Sequence, residues 1–262
     1  MTSFGIDFDF HRWFGLVALA LCLPAFAGSP TPKSLEPSAP VVESDSGWWW
    51  RIAPYGWLPA TTGEVGIAGR SADVDLSMSD TLEDLDFSAM LTMEAGNGPW
   101  SIGFDGVYGA FSNPVLRNAK VDLDQAYCRA HLGRRLIDGP DFELGVLAGV
   151  RYTFISTKIE FRGLPGGDLR LEDSVGWVDP IAGLRARLRI DDRWFVGLEG
   201  DIGGFGTGSD LIWQAHAHLG CRIRDGWSAL LGYRGLGFER EGSRSSADLT
   251  SHGPYAGLVF EF

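Results

Sequence analysis

The sequence predicts an all-β protein: a closed, antiparallel, up-and-down transmembrane β-barrel of about ten strands, with eight or twelve as the alternatives. Three observations predict it. Apolar and polar residues alternate with a period of two through most of the chain from Trp48 to Phe262, which is the periodicity of a strand. Tight turns of repeated chemistry, each running straight into an aromatic residue, alternate with mostly longer polar connections. The composition holds 36 Gly, 10 Trp and 16 Phe in 262 residues, a mixture expected of crowded sheets that carry aromatic belts.

The chain opens on an apolar run, Trp13 to Phe26, of the length of a signal-peptide core. Ala25-Phe26-Ala27 has the small-x-small form of a cleavage site, so 1–27 reads as a cleaved signal peptide and implies export. Residues 28–46 (GSPTPKSLEPSAPVVESDS) are rich in Pro and Ser without periodicity and read as a disordered tether. The barrel is expected to occupy 47–262.

Strands are expected over 48–58, 87–96, 100–112, 121–136, 142–160, 177–190, 194–206, 211–224, 227–240 and 247–262. The first connection is long enough for an extra ribbon, 64–68 with 73–77, and a helical turn over 79–86 with Ser79 or Asp80 as its cap. Asn97-Gly98-Pro99, Asp138-Gly139-Pro140-Asp141, Asp191-Asp192-Arg193 and Asp225-Gly226 are tight turns, because Gly, Asn and Asp accept the backbone angles such turns need. Trp100, Phe142, Trp194 and Trp227 follow them directly. Stretches 59–86, 113–120, 161–176 and 241–246 read as polar loops at the opposite end, with 207–210 a short exception. Tight turns on one side and longer loops on the other match a membrane barrel whose tight turns face the periplasm. An even strand number returns both ends of the chain to that side.

Sorting each strand by parity gives an apolar set and a polar set. Leu184, Val146 and Leu219 fall on the first; Arg185, Arg187, Arg189, His216 and His218 fall on the second, which also holds Leu147. Alternation alone leaves the orientation open, since a soluble lipid-binding barrel turns its apolar set inward. Trp100, Phe142, Trp194, Trp227 and Phe262 share the apolar parity beside the tight turns, where an interfacial girdle belongs. The polar set is rich in glycine, which suits the crowded interior of a narrow barrel. The apolar set is therefore expected to face lipid. Cys128 and Cys221 share its parity and read as small apolar side chains.

The last strand, Tyr255-Ala256-Gly257-Leu258-Val259-Phe260-Glu261-Phe262, and the aromatic-after-turn hairpins resemble the small outer-membrane β-barrels of Gram-negative bacteria, the OmpA-like and porin-like superfamily. Pro54-Tyr55-Gly56-Trp57-Leu58-Pro59, with Val74-Asp75-Leu76-Ser77 and Ser79-Asp80-Thr81-Leu82, resembles an uncharacterised branch of that group. The resemblance spans roughly 47–262 and implies residence in the cell outer membrane. It implies contact with outer-membrane lipid and lipopolysaccharide, and passage through periplasmic chaperones and the barrel-assembly machinery. Phe262 and Phe260 correspond to the family's C-terminal assembly signal. Oligomeric state is open, with a monomer favoured.

With the polar parity inward, the lumen is expected to hold Arg51, Glu94, Asp105, Arg129, Glu143, Arg151, Arg185, Arg187, Arg189, Glu199, Asp201, His216, His218, Arg222 and Arg234, joined by His131, Arg135 and Glu261. Arg or Lys on the lipid face at mid-bilayer costs roughly 2–4 kcal/mol, so confinement to one parity is itself informative. One reading is a plugged, ion-paired interior; the other is a water-filled constriction that passes small anions. The bore of about ten strands is small, which favours the plug. Glu199 and Asp201 are the expected partners of the 185–189 arginine ladder, with Glu143 another.

The role implied is a structural barrel or passive small-solute channel, with a surface-loop binding or adhesion protein, or an outer-membrane lipid-modifying enzyme, as the alternatives. No catalytic residues are assigned: Ser251-His252 is the one adjacent Ser-His pair, and neighbours on a strand point to opposite faces. His216 and His218 lack a third ligand at telling spacing, so no metal or cofactor is expected. Gly203-Gly204-Phe205-Gly206-Thr207-Gly208 lacks the Lys-Ser/Thr of a phosphate loop and reads as a flexible connection. The formal charge of −12 argues against nucleic acid as a partner.

Overall fold

The computed structural model describes residues 47–67, 70–116, 119–161, 169–242 and 245–262. The expected signal peptide and tether lie outside the described residues. The chain forms β1 (Trp48–Trp57), β2 (Ala60–Ile67), β3 (Arg70–Leu76), α1 (Met78–Asp84), β4 (Leu85–Asn97), β5 (Trp100–Leu116), β6 (Ala119–Asp138), β7 (Phe142–Phe161), β8 (Leu169–Arg189), β9 (Trp194–Gly204), β10 (Leu211–Arg224), β11 (Trp227–Glu241) and β12 (Ser245–Glu261). Every strand pairing is antiparallel.

Ten strands, β1 and β4 to β12, pair in sequence order, and β1 closes the ring on β12. At the seam Trp50 N donates to the Phe262 carbonyl at 3.0 Å and Phe262 N returns a bond to the Trp50 carbonyl at 2.9 Å. Phe262 is thus part of the closure, which leaves no open edge there. Above Leu58 and Pro59, β2 takes over from β1 on β12, pairing Ala60 with His252 through to Ile67 with Ser245. β3 then pairs with β2 outside the ring. The expected ten-strand barrel and the extra ribbon are both present.

The tight turns form as expected, with left-handed glycines at Gly98 (φ 55°) and Gly226 (φ 72°). In the 190–194 turn the Asp191 carboxylate accepts from the backbone N–H groups of Arg193 and Trp194, both at 2.7 Å. Those two bonds favour the ionised form and lower the Asp191 pKa.

Three expectations about the long-loop end are corrected. The stretches 113–120 and 161–176 are mostly strand: β5 and β6 pair out to Leu116 with Ala119, and β7 and β8 out to Phe161 with Leu169. The sequence alternation fades there while the backbone ladder continues. The helix cap is Ser77, not Ser79 or Asp80. The Ser77 hydroxyl accepts from Asp80 N, and the Asp80 side chain accepts from Ser77 N at 2.8 Å, which makes a capping box. Loop 203–208 is pinned rather than flexible: Gly208 N and Ser209 N donate to Asp179 Oδ1 at 3.1 and 2.7 Å, and Ser209 Oγ donates to Asp179 Oδ2 at 2.8 Å.

The orientation follows the parity argument. Leu184 and Leu219 are 58% and 42% exposed, on the outside of the wall. Trp48, Trp50, Trp100, Phe142, Trp194 and Trp227 are exposed in a ring at the tight-turn end. Arg134 and Arg224 lie over Trp100 and Trp227 at 5.1 and 4.0 Å, so the charges at this level sit on girdle rings. A strand of about 9–11 residues crosses a bilayer. β6, β7 and β8 have 20, 20 and 21, so close to half of each rises beyond the span.

Candidate functional site

The bore has three layers. At mid-height a single ionic network crosses it. Arg234 donates to Tyr55 Oη (2.6 Å), Asp105 Oδ2 (2.9 Å) and Gln214 Oε1 (2.8 Å). Tyr55 and Thr92 donate to the other Asp105 oxygen at 2.7 and 3.0 Å. Arg151 donates to Gln214 Oε1 (3.1 Å) and to Asp201 Oδ1 (2.6 Å). Arg129 pairs with Asp201 (2.8 Å) and Glu199 (2.5 Å). Arg185 continues the chain to Glu199 at 3.7 Å, to His131 Nε2 at 2.7 Å and, by a short contact, to Glu94. Since a guanidinium has only donors, His131 Nε2 is the acceptor and its other nitrogen carries the proton. Arg51 closes the sequence on Glu94 (3.3 Å) and Glu261 (3.5 Å).

This network draws one or more side chains from each of the ten barrel strands. It joins five arginines (51, 129, 151, 185, 234) to five carboxylates (94, 105, 199, 201, 261), so it is formally neutral. Neutrality matters because a buried charge is tolerated only when paired and hydrogen-bonded.

Above it, toward the long-strand end, an apolar layer fills the bore. Ile181, Ile212, Leu236 and Phe238 pack with Trp57, Val107, Tyr127 and Trp177, all buried; Leu147, nearer the tight turn than Arg151 on β7, and Tyr255, on the cavity wall, join the same cluster at its lower edge. Trp177 and Phe238 meet edge to face at 5.7 Å. Trp177 Nε1 donates to Asp179 Oδ2 and Ser209 Oγ at 3.0 and 2.8 Å, so its polar end is satisfied inside the plug. The polar parity was expected to carry the charges of the lumen, with Leu147 an apolar member. Apolar members are more numerous than that, because a bore this narrow excludes water more cheaply with close-packed apolar side chains than with further charges.

Below the network, toward the tight turns, lies a cavity of about 450 Å³ that reaches Gly98, Pro99, Arg135 and Glu261 at the rim. Phe195, His218, His216 and Tyr255 form one wall. His216 and His218 stack at 6.2 Å, and His218 Nδ1 shares a hydrogen bond with Tyr255 Oη at 2.9 Å. Trp49 and Arg51 stand elsewhere on the lining.

The expected lumen residues divide accordingly. Arg51, Glu94, Asp105, Arg129, Arg151, Arg185, Glu199, Asp201 and Arg234 are in the network; Glu143, Arg187, His216 and His218 line the cavity. Arg189 and Arg222 are exposed near the tight-turn end and join neither. Asp201, an expected partner of the 185–189 ladder, instead holds Arg129 and Arg151, because the register sets Gly183 opposite it. Arg135 pairs with Asp138 at 3.2 Å at the rim. Phe260 packs edge to face on Trp227 at 4.4 Å. Ser251 turns inward to Thr61 Oγ1 at 2.8 Å, while His252 turns outward to Tyr233 at 2.6 Å, so the two do not form a catalytic pair. Cys128 and Cys221 are free thiols.

Sequence reasoning missed Tyr55, Gln214 and Tyr255 as network and wall groups, and Asp179 as the loop anchor. Tyr55 shares the parity of Arg51, but three tryptophans before it blur the alternation of β1. Asp179 was legible as an inward position two turns of the pleat beyond Gly183.

No protein-family model matches the sequence, and no curated protein matches it. Solved structures do. The outer membrane protease OmpT from Escherichia coli is 11% identical, over 83% of this chain and 98% of that one, with a TM-score of 0.53. Ail, the attachment invasion locus protein of Yersinia pestis, solved in complex with the heparin analogue sucrose octasulfate, is 10% identical over 82% and 99%, at 0.38. The transport unit of the autotransporter AIDA-I from Escherichia coli is 11% identical over 86% and 93%, at 0.38. At these identities what is shared is the fold, and the first of the three carries that likeness. An apolar belt, an aromatic girdle and an edge-free ring make the chain a transmembrane β-barrel, and this likeness shows that its fold is one found among outer-membrane proteins.

Proposed function

We propose that the chain is a closed structural barrel of the outer membrane that holds a rigid β-rim outside the cell, and is not a solute pore. One observation carries this reading: the apolar layer and the ionic network lie in series, and between them they fill the bore. Arg151, at 1% exposure, sits where the two layers meet. A conducting lumen needs a continuous water path past its charged ring, and such a path would hydrate that guanidinium. The rim itself is built from the upper strands and the β2–β3 ribbon, which suits a surface that meets lipopolysaccharide or an external partner. We assign Phe262 and Phe260 to recognition by the assembly machinery after periplasmic chaperones deliver the chain.

Planar-bilayer recording tests the closed bore. The folded chain should give no stepwise conductance. Replacing plug residues together, Ile212→Gly with Leu236→Gly, should open measurable steps without altering membrane insertion. Regular openings by the unaltered chain would overturn the reading.

A further inference from the structure

We propose that the cavity on the tight-turn side is a dead-end binding pocket for a small anion that carries a flat apolar ring, entered from the periplasm. The proposal rests on the closed bore, which makes the cavity blind, and goes beyond it by giving the cavity a ligand class.

Charge supplies the first argument. The mid-bore network is neutral in itself, yet the cavity lining as a whole carries seven arginines against five carboxylates. Of the lining arginines outside the network, Arg187 is the one inside the bore. Among the described residues it makes no ion pair within 4.0 Å, although Glu143 faces it in register across the β7–β8 ladder. Its guanidinium lies 4.1 Å above the Phe195 ring, so its apolar face is covered while its N–H groups remain unclaimed. A guanidinium held flat in this way offers a two-pronged site to a phosphate or carboxylate.

Shape supplies the second. Two glycines clear the wall beside Arg187. A Cβ at Gly197 would come within 2.3 Å of the His218 ring, and one at Gly220 within 2.1 Å of Phe195. The register aligns Arg187, Gly197 and His218 across three strands, so the imidazole and phenyl rings lie over bare backbone next to the free cation. The glycines let both rings lie close on the backbone, and the rings border a void of about 450 Å³, within the usual size range of small-molecule sites. The anion would sit on Arg187, and its ring would stack against the Phe195–His218 wall.

Titration calorimetry on the folded chain in non-ionic detergent tests this, with phenyl phosphate as probe and inorganic phosphate and phenol as its two halves. Phenyl phosphate should bind saturably and at least ten-fold more tightly than either half. Arg187→Gln should weaken it at least ten-fold, Arg187→Lys by less, and Phe195→Leu at least three-fold. Arg189→Gln, at the exposed rim, should change it less than two-fold. Heat-modifiable gel mobility confirms the fold of each variant; should Arg187→Gln not fold, Arg187→Lys and Phe195→Leu carry the comparison. Equal binding of phosphate and phenyl phosphate, an unchanged constant in the folded variants, or no binding at all would each overturn the proposal. Stepwise current in the bilayer would instead overturn the closed bore, so the two failures are distinguishable.

Discussion

Asp201→Asn probes the dry junction between the ionic network and the apolar plug. The carboxylate has no exposed side-chain surface and accepts from Arg129 at 2.8 Å and Arg151 at 2.6 Å. Arg129 keeps Glu199 when Asp201 loses its charge, so its share of the loss is partial. Arg151 keeps only the neutral Gln214 at 3.1 Å. Leaving a buried charge without its partner costs about 3–5 kcal/mol, and that range applies here mainly through Arg151. Arg151→Met should cost less, about 1–3 kcal/mol, because Asp201 still holds Arg129. Combining the two should cost less than their sum by at least about 1 kcal/mol, since each removes the same pair. Urea unfolding of the chain in lipid vesicles, followed by tryptophan fluorescence, reads these values. If Asp201→Asn costs under about 1 kcal/mol, the carboxylate behaves as a hydrated surface pair. Water would then reach the junction, and the case for a closed bore would fail.

Leu184→Arg, on the lipid face of β8, should destabilise the vesicle-bound barrel by about 2–4 kcal/mol in the same assay. Glu261→Gln should cost less than about 1 kcal/mol, because its salt bridge to Arg51 is 46% exposed on the glutamate side. Ser77→Ala should weaken α1 locally by about 0.5–2 kcal/mol, seen as faster amide exchange over 78–84 with the barrel unchanged. The Asp80 pKa is lowered by bonds from the Ser77 hydroxyl and backbone. Its contribution is therefore present above the ordinary aspartate pKa and is lost as pH falls through the depressed value, so exchange over 78–84 should quicken only in strong acid. Deleting Phe262 removes both seam bonds to Trp50 and should reduce the yield of heat-modifiable barrel in cells; an unchanged yield would remove Phe262 from assembly.

Much of the fold was legible because a barrel wall between lipid and lumen imposes a strict alternation, and tight turns need particular residues. Strand ends were less legible at the far ends of β5 to β8, where the backbone ladder continues past the alternating stretch of the sequence. Charges at 129, 151 and 199 were readable as inward, but which carboxylate meets which arginine was not. Partner choice depends on contacts across the bore between strands that are not neighbours, such as Arg234 with Asp105 and Arg185 with Glu94. The plug was half visible. Leu147 stood among glycines and arginines on the polar parity, and an apolar residue in that setting marks a position where the lumen is dry.

The order of the layers also has a physical reason. Five arginines and five carboxylates spread through a bore open at both ends would be wetted from both sides, and each pair would then contribute little. The apolar layer removes water from one side only. Side-chain exposure accordingly rises along the network away from the plug: 1% at Arg151, 5% at Arg129, 26% at Arg185 and 29% at Arg51. Pairs at the dry end hold β5, β6, β7, β9 and β11 to one another, while those at the wet end stay responsive to what enters from the tight-turn side. A lumen graded in this way is rigid where it meets the plug and adaptable where it meets the cavity, so a stable barrel and a receptive pocket occupy the same bore.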